Sequence, residues 1–344
     1  MSKISIIGID LAKQVFQLHG NDNRGHKMFG KQLKRDQLLA FLATQPPCLV
    51  AMEACGGSHY WARQIKVLGH DVKIIHPRYV KPFVQVHKND QRDAQAIAEA
   101  AARPSMPSVA LKSVEQLDLQ ALHRVRERLV KEKTAIGNEL RGLLLEMGIV
   151  IAQGNKSVRE AVPLILGDGK RMLSPRARYL IHDLREQWLE REQRIATYDR
   201  ELKLIARDNA VCQALQSIPG IGPVNATLLY SHAGDAKHFK SARHFSAYLG
   251  LVPRQHSSGG KEQLQGISKQ GNKHVRKQLV HGARSAYRVL SESSNDSRLG
   301  RWLKGMEGKH VNKIVVALAN KLARIVWAIM RTGQHYQSLK GQTV

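Results

Sequence analysis

The sequence is poor in acidic residues. Its 344 residues include 54 Lys and Arg but only 28 Asp and Glu, which leaves a formal net charge of +26. A folded protein this basic usually binds a polyanion, because its positive potential concentrates phosphate groups near the surface. The shortage of acids therefore favours nucleic acid as the partner over a general bias toward solubility.

Cysteines are also few, and their spacing carries no motif. Cys48, Cys55 and Cys212 form neither a CxxC pair nor the pattern of a zinc site. Scattered cysteines of this kind are typical of reduced thiols in a cytosolic protein. Met1 leads directly into the apolar segment SKISIIGID, so no signal peptide is expected.

Long uninterrupted hydrophobic runs are absent from the sequence. The most apolar stretch, KIVVALANKLARIVWAIM, is interrupted by Asn320, Lys321 and Arg324. Such polar interruptions predict a buried helix and exclude a membrane span. We therefore expect a cytoplasmic protein without membrane contact.

Strand and helix patterns alternate over residues 1–105. ISIIGID, VFQLHG, CLVAME and DVKIIHP predict short strands, and the first two could pair as a hairpin. Apolar periodicity predicts helices over 31–45 and 57–70 and another that ends at Pro104. This alternation is typical of an α/β domain with a central sheet.

Helical patterns dominate the rest of the chain. Residues 114–147 and 178–206 predict two long helices within 106–208, which suggests an antiparallel helical hairpin or coiled-coil arm. A mostly helical region follows over 209–335, with a tail at 336–344. Between 240 and 340 there are 19 Lys or Arg against four acids, so the positive charge is concentrated there. That concentration favours a nucleic-acid surface.

Four acids fall at the ends of predicted elements. Asp10 and Glu53 follow strands, where sites form in open α/β sheets. Asp90 and Asp93 lie in the first turn of a helix and share its face with Ile97, which should turn them toward the sheet. Converging carboxylates repel one another unless divalent cations lie among them, and oxygen ligands suit Mg²⁺ or Mn²⁺. Helix-dipole and turn preferences explain the same acids individually.

Several motifs resemble a known family. GIDLAK with Asp10, AMEACGG with Glu53, and KNDQRDAQAIA with Asp90 and Asp93 resemble the DEDD tetrad of a family of insertion-sequence transposases. The N-terminal domain of that family is similar to RuvC. IPGIGPVNATLL, FKSARHFSAYLGLVPRQHSSGGK and GISKQGNKHVRKQLV resemble its C-terminal transposase domain, in the same order. This chain has Asn89 where the family commonly has Thr.

The resemblance implies the fold class, an α/β plus α architecture. An RNase H-like, RuvC-like catalytic domain is expected at 1–105. A coiled-coil arm that dimerises and holds RNA is expected at 106–208. A mostly helical transposase domain with a catalytic serine is expected at 209–335.

The resemblance also implies an RNA-guided recombinase in the bacterial cytoplasm, associated with the nucleoid. A structured non-coding guide RNA would pair with target and donor DNA. The four carboxylates would hold Mg²⁺ or Mn²⁺, and Ser258 would form a covalent link to DNA, although Ser257 stands beside it. The tetrad and the serine would meet in a composite site between protomers of a dimer or tetramer.

Phosphate contacts are expected near the serine and in IPGIGPVNA. This segment resembles the hairpin of helix-hairpin-helix motifs, in which the N–H groups of Gly220 and Gly222 would meet a phosphate. A plain helix end and turn would use the same glycines. The cations expected to clamp phosphate around the serine are Arg254, Lys261, Lys269, Lys273, Arg276 and Lys277.

Two other functions fit the same residues. One is a metal-dependent, RuvC-like junction nuclease in which Ser258 is incidental. The other is a non-catalytic architectural protein that binds DNA or RNA. The four acids argue against the second, because a surface that only binds phosphate gains nothing from carboxylates beside it.

Overall fold

A computed structural model describes residues 3–84, 89–169, 173–257, 259, 261–292 and 297–337. The chain forms two compact units, Met1–Ser113 and Val114–Val344. The first unit extends past the boundary predicted at 105. The arm and the C-terminal region, which the sequence predicts as separate domains, both belong to the second unit.

A five-stranded mixed sheet organises the first unit, in the order β3-β2-β1-β4-β5. Strands β1 (Ile6–Leu11), β2 (Val15–Asn21) and β3 (Lys27–Lys34) form an antiparallel meander. Strands β4 (Leu49–Glu53) and β5 (Asp71–Ile75) run parallel to β1. This mixed α/β arrangement fits an RNase H-like fold, and four of its strands (β1, β2, β4 and β5) agree with those predicted from the sequence.

Helices cover both faces of this sheet. They are α1 (Leu38–Ala43), α2 (Ser58–Val67), α3 (Pro77–Val80) and α4 (Asp90–Ala102). Because side chains alternate along a strand, Ile7 and Ile9 of β1 face the α1 and α2 side. Ile6 lies on the opposite face, against the α4 side. The sheet therefore separates two apolar cores.

Close packing holds α4 against β1. A Cβ placed on Gly8 would lie 2.3 Å from the carbonyl oxygen of Ala94 and 2.6 Å from the amide nitrogen of Ala98. Only glycine allows an approach this close, so Gly8 fixes the distance between strand and helix. Ile97, on the same helix, is fully buried.

The helix predicted over 31–45 is wrong in its first part. Residues 31–34 belong to β3, and Leu33 pairs with Phe16 of β2. The α-helix itself spans only Leu38–Ala43. Leu33 lies on a strand but packs in the same core as the leucines of α1. Its spacing from those leucines in sequence therefore matched the pattern of one helix face.

Two long helices dominate the N-terminal part of the second unit. They are α5 (Val114–Glu146) and α7 (Pro175–Asp208), with α6 (Asn155–Gly167) between them in sequence. Arg126 binds Asp199 at 2.5 Å, and Lys133 binds Glu192 at 3.3 Å. Partners therefore run in opposite directions along the two helices, which makes the pair antiparallel. The coiled coil itself stays a prediction.

The C-terminal region is mostly helical. Its helices are α8 (Ala210–Gln216), α9 (Pro223–Ala233), α10 (Ala242–Tyr248), α11 (Lys273–Leu290), α12 (Arg298–Lys304) and α13 (Val311–Thr332). A short antiparallel hairpin joins β6 (Pro253–Gln255) to β7 (Leu264–Ile267). Helix α5 attaches to this region because Gln120 Nε2 donates to the carbonyl oxygen of Ser231 at 2.5 Å.

The predicted burial of the apolar C-terminal stretch is confirmed. Helix α13 buries nine residues, with Val315, Leu318 and Leu322 among them. Within the described ranges, no helix is both long enough and apolar enough to cross a membrane.

Candidate metal centre

Three of the four predicted carboxylates come together in the first unit. Asp10, Asp90 and Asp93 each offer one carboxylate oxygen, and these oxygens all lie within 4.8 Å of one another. Asp10 belongs to the end of β1, whereas the other two lie in the first turn of α4. Asp90 is exposed and the other two are half-buried.

The start of α4 is fixed by a side-chain cap. Asn89 Oδ1 accepts a hydrogen bond from the backbone N–H of Arg92 at 2.8 Å. Capping satisfies a helix donor that would otherwise have no partner in the helix, and it sets where the first turn begins. A threonine at this position could form the same cap.

Glu53 lies on the neighbouring strand. Parallel pairing places Met52 opposite Ile9, so Glu53 and Asp10 occupy equivalent positions near the ends of β4 and β1, and both point to the α4 face. Glu53 is not part of the group of three. Burial raises the pKa of the Cys55 thiol, and the negative charges of Asp10 and Glu53 raise it further. Both carboxylates therefore lie near that thiol.

The donor set suits a hard divalent cation. Oxygen ligands lie about 2.0–2.1 Å from Mg²⁺, so oxygens on opposite sides of one ion are about 4 Å apart. Carboxylate oxygens within 4.8 Å of one another are compatible with that span. Because the group holds carboxylates alone, it favours Mg²⁺ or Mn²⁺ over Zn²⁺, which usually takes His or Cys ligands.

The predicted nucleophile, Ser258, lies outside the described residues, as does Gly260. The alternative, Ser257, follows β6 and is exposed. Its Oγ accepts a hydrogen bond from Gln255 Nε2 at 2.9 Å. Gly259 has a φ of +56°, a conformation that favours glycine.

Arg276 has internal partners. Its Nη1 donates to the carbonyl oxygens of Leu249, at 3.1 Å, and Gln270, at 2.6 Å. Partial burial lowers the pKa of its guanidinium. Arg276 thus ties together the two segments that flank the hairpin, and its predicted phosphate contact stays a prediction.

The other predicted phosphate-binding cations differ in their surroundings. Lys277 Nζ donates to Glu127 Oε1 of α5 at 2.5 Å, so it has an acidic partner within the unit. Lys269 has a φ of +54°, which is unusual for a residue with a side chain. The exposed cations of this group are Arg254, Lys261, Lys269, Lys273 and Lys277.

The two glycines of IPGIGPVNA have different environments. Gly220 has a φ of +82°, and a Cβ there would lie 2.2 Å from the carbonyl oxygen of Gly282. Close contact with α11 therefore explains Gly220 without a ligand. Gly222 precedes α9, and a Cβ there would meet nothing within 4 Å.

The sequence did not predict a groove that lies near the carboxylate edge of the sheet. Its volume is about 690 Å³, and its lining includes Lys34, Arg35, Tyr60 and Trp61. An aromatic pair at the start of a helix and a Lys-Arg pair at the end of a strand were the available signals. They lie in separate segments that only the folded sheet brings together.

Two family models match the chain. One is described as the transposase IS116/IS110/IS902 family and matches residues 212–298; the other, a transposase model of the DEDD type, matches residues 7–149. A probable family 20 transposase of Pseudomonas aeruginosa is 46% identical over 95% of this chain and 97% of its own length. The chain belongs to the IS116/IS110/IS902 family of transposases. This result confirms the resemblance drawn from the motifs.

Other relatives agree with this assignment. The transposase for insertion sequence element IS1111A of Coxiella burnetii is 45% identical, over 98% of this chain and 92% of the relative. The transposase for IS1328 of Yersinia enterocolitica is 42% identical, over 97% and 98%. The transposase is thus a DNA-cleaving and strand-transferring enzyme, and its DEDD type implies the use of a divalent metal.

Proposed function

We propose that the transposase cuts and rejoins DNA through a phosphoserine linkage formed by Ser258, with Mg²⁺ held by Asp10, Glu53, Asp90 and Asp93. The observation that carries the proposal is the convergence of Asp10, Asp90 and Asp93, whose ligand oxygens lie within 4.8 Å of one another. Strand and helix each hold part of this group, so the geometry depends on the folded unit.

Strands and a helix would share the support of the carboxylates. Asp10 is fixed by its strand, which pairs on both sides, and Asp93 is fixed by the capped first turn of α4. Glu53 would complete the ligand set from the adjacent strand. When bound, the cation would stabilise charge on the scissile phosphate and favour loss of the serine proton.

The covalent step conserves the phosphodiester energy. Ser258 Oγ would attack the phosphorus, forming an O–P bond to the protein while the bond to one deoxyribose oxygen breaks. The serine proton is released, and the leaving oxygen takes up a proton to become a free hydroxyl. A hydroxyl of another strand then reverses the exchange. Hydrolysis would lose this energy, which explains the use of a serine in recombination.

A guide RNA and an assembly of two or four chains complete the proposal. Both follow from the family resemblance, and the charge of the chain supports the RNA. The formal net charge is +26, and 19 cations stand against four acids between 240 and 340. Such a surface can neutralise the phosphates of RNA and DNA together.

Asp10→Asn and Asp93→Asn test the proposal, with Asp71→Asn as the matched control. Asp71 is an exposed acid at the start of β5, away from the carboxyl ends of the strands. In cells that carry the whole element on a plasmid, we expect the two site variants to lose recombination junctions by about 100-fold or more. Asp71→Asn should recombine normally. Normal recombination by a correctly folded Asp93→Asn variant would refute the proposed role.

A further inference from the structure

We propose that the groove at the strand ends that carry the carboxylates, on the opposite face of the sheet, binds unstacked nucleotides of the DNA strand that flanks the cut. This inference rests on the proposed function, because it assigns a path to the same substrate. The residues that carry it are Val15, Lys34, Arg35, Asp36, Tyr60 and Trp61, all of which line the groove. Its volume, about 690 Å³, falls in the range typical of ligand sites.

The groove has a rigid aromatic wall. Trp61 is 5% exposed and meets Phe16 edge-to-face at a centroid distance of 5.1 Å. Tyr60 contacts Trp61 at 5.2 Å yet remains 46% exposed. A fixed ring supports one that is open to solvent, which is how proteins present aromatic side chains to unstacked bases.

Cations lie beside the aromatic wall. The Arg35 guanidinium lies 4.9 Å from the centroid of the Trp61 ring, and its Nη1 donates to the carbonyl oxygen of Lys13 at 3.3 Å. Lys34 is exposed next to it, and Asp36 is the acid of the lining. Two cations against one acid leave a positive site, which suits a phosphate backbone.

The lysines of β3 have a simpler explanation, which is protection of the exposed edge of the sheet. Lys27, Lys31 and Lys34 lie on β3, an edge strand, and lysines there discourage pairing with other chains. Edge protection gives no reason for the exposed ring of Tyr60 on α2 or for the ordered guanidinium of Arg35. A site that stacks a base and binds a phosphate accounts for all three features.

The position of the groove connects it to the carboxylates. Asp10 lies one residue before the end of β1, and Val15, which begins β2, pairs with Lys34. Glu53 ends β4, and the chain then enters α2, which carries Tyr60. All of these residues therefore lie at the same end of the sheet, where β1 and β4 finish. The carboxylates belong to the α4 face, whereas Trp61 packs on the opposite face. A bound DNA strand would therefore pass over this end of the sheet from one face to the other.

A single DNA strand fits this site better than a duplex. Bases inside a duplex are stacked on one another and cannot offer a face to Tyr60, whereas an opened strand can. Strand exchange in the proposed reaction would supply such an opened strand. We therefore assign DNA as the occupant, and an RNA strand is the competing outcome of the test.

Crosslinking of the full-length transposase tests this assignment. Single-stranded DNA carrying 5-iodouracil would be irradiated with the protein in EDTA, where no cutting occurs, and the crosslinked peptide mapped by mass spectrometry. We expect crosslinks at Tyr60 that disappear in Tyr60→Ala and persist in Tyr60→Phe. Tyr79, 41% exposed on α3 of the same unit, supplies the control. Tyr79→Ala should leave the crosslinks unchanged.

Binding measurements complete the test. Stacking on an aromatic side chain contributes about 1–3 kcal/mol per base. The affinity for DNA, measured by quenching of 2-aminopurine at the crosslinked position, should therefore fall about fivefold or more in Tyr60→Ala. Lys34→Ala should lower the salt slope of binding by about 0.7. The inference fails if Tyr60 does not crosslink, or if RNA of the same sequence crosslinks there in preference to DNA. Recombination that still depends on Asp93 would leave the proposed function intact in either case.

Discussion

Asp10 and Asp93 present carboxylate oxygens within 4.8 Å of each other, although one lies near the end of a strand and the other in the first turn of a helix much later in the chain. Their approach depends on residues that carry no charge. Gly8, two residues before Asp10, leaves room for the backbone of Ala94, the residue after Asp93. The carboxylate group is therefore a product of packing between β1 and α4.

Gly8→Ala tests this dependence. Because the added Cβ would lie 2.3 Å from the Ala94 carbonyl oxygen, α4 must move away from β1. We expect a loss of about 1–3 kcal/mol in the free energy of unfolding and weaker binding of divalent metal. Gly142→Ala, on α5 with no atom within 4 Å of the added Cβ, is the control for the substitution itself. Unchanged metal affinity in Gly8→Ala would show that packing does not set the site.

The covalent step gives a second prediction. Ser258→Ala should abolish both strand exchange and the protein–DNA adduct on denaturing gels, because no other group would hold the phosphate. Ser257→Ala should retain both, since Ser257 is instead hydrogen-bonded to Gln255. Persistence of cutting without an adduct in Ser258→Ala would favour the junction nuclease. The reverse pattern of the two variants would move the nucleophile to Ser257.

The glycines of IPGIGPVNA can be separated by stability and binding. Gly220→Ala should destabilise the second unit by more than about 1 kcal/mol, because it combines a φ of +82° with contact to Gly282. Gly222→Ala should cost less than Gly220→Ala, because an added Cβ meets nothing within 4 Å and only the preference for glycine over alanine at the N-cap of α9 is lost. If its N–H meets a phosphate, Gly222→Ala should weaken DNA binding through the new methyl group. Equal binding by wild type and a stable Gly222→Ala variant would support a plain turn.

Sequence patterns predicted β1, β2, β4, β5 and the two long helices well, because their periodicity is local. They failed at Leu33, where pairing with Phe16 decides the conformation. They identified Asp90 and Asp93 as neighbours on one helix face, since that depends only on helix geometry. They could not predict the groove around Tyr60, because it forms only when residues 14–15, 34–39 and 60–61 come together in the folded sheet.

A buried histidine makes the stability of the second unit depend on pH. His123 is 1% exposed, and burial lowers its pKa to about 3, with further lowering by His274, His232 and Arg126. Its Nε2 lies 3.0 Å from Thr227 Oγ1, which donates to the carbonyl oxygen of Pro223. The folded state therefore keeps the ring neutral, whereas the unfolded chain takes up a proton near pH 6.5.

The contribution of the neutral His123 ring to the free energy of unfolding should consequently be fully present above pH 6.5 and decline as the pH falls toward 3. Each pH unit in this window costs up to about 1.4 kcal/mol for one such group. His123→Gln should reduce the loss between pH 7 and pH 5 by about 2 kcal/mol, measured by urea unfolding. His244→Gln, which replaces an exposed histidine of α10, should leave the loss between pH 7 and pH 5 unchanged. An equal loss in wild type and His123→Gln would contradict this assignment.

The most direct measurement is a titration with Mn²⁺ followed by electron paramagnetic resonance, in wild type, Asp93→Asn and Asp71→Asn. The signal of free Mn²⁺ should fall as wild type binds one or two ions per chain. Asp71→Asn should behave as wild type does, and Asp93→Asn should leave the ions free at the same concentrations. Equal binding of Mn²⁺ by wild type and a folded Asp93→Asn variant would contradict a metal centre at these carboxylates.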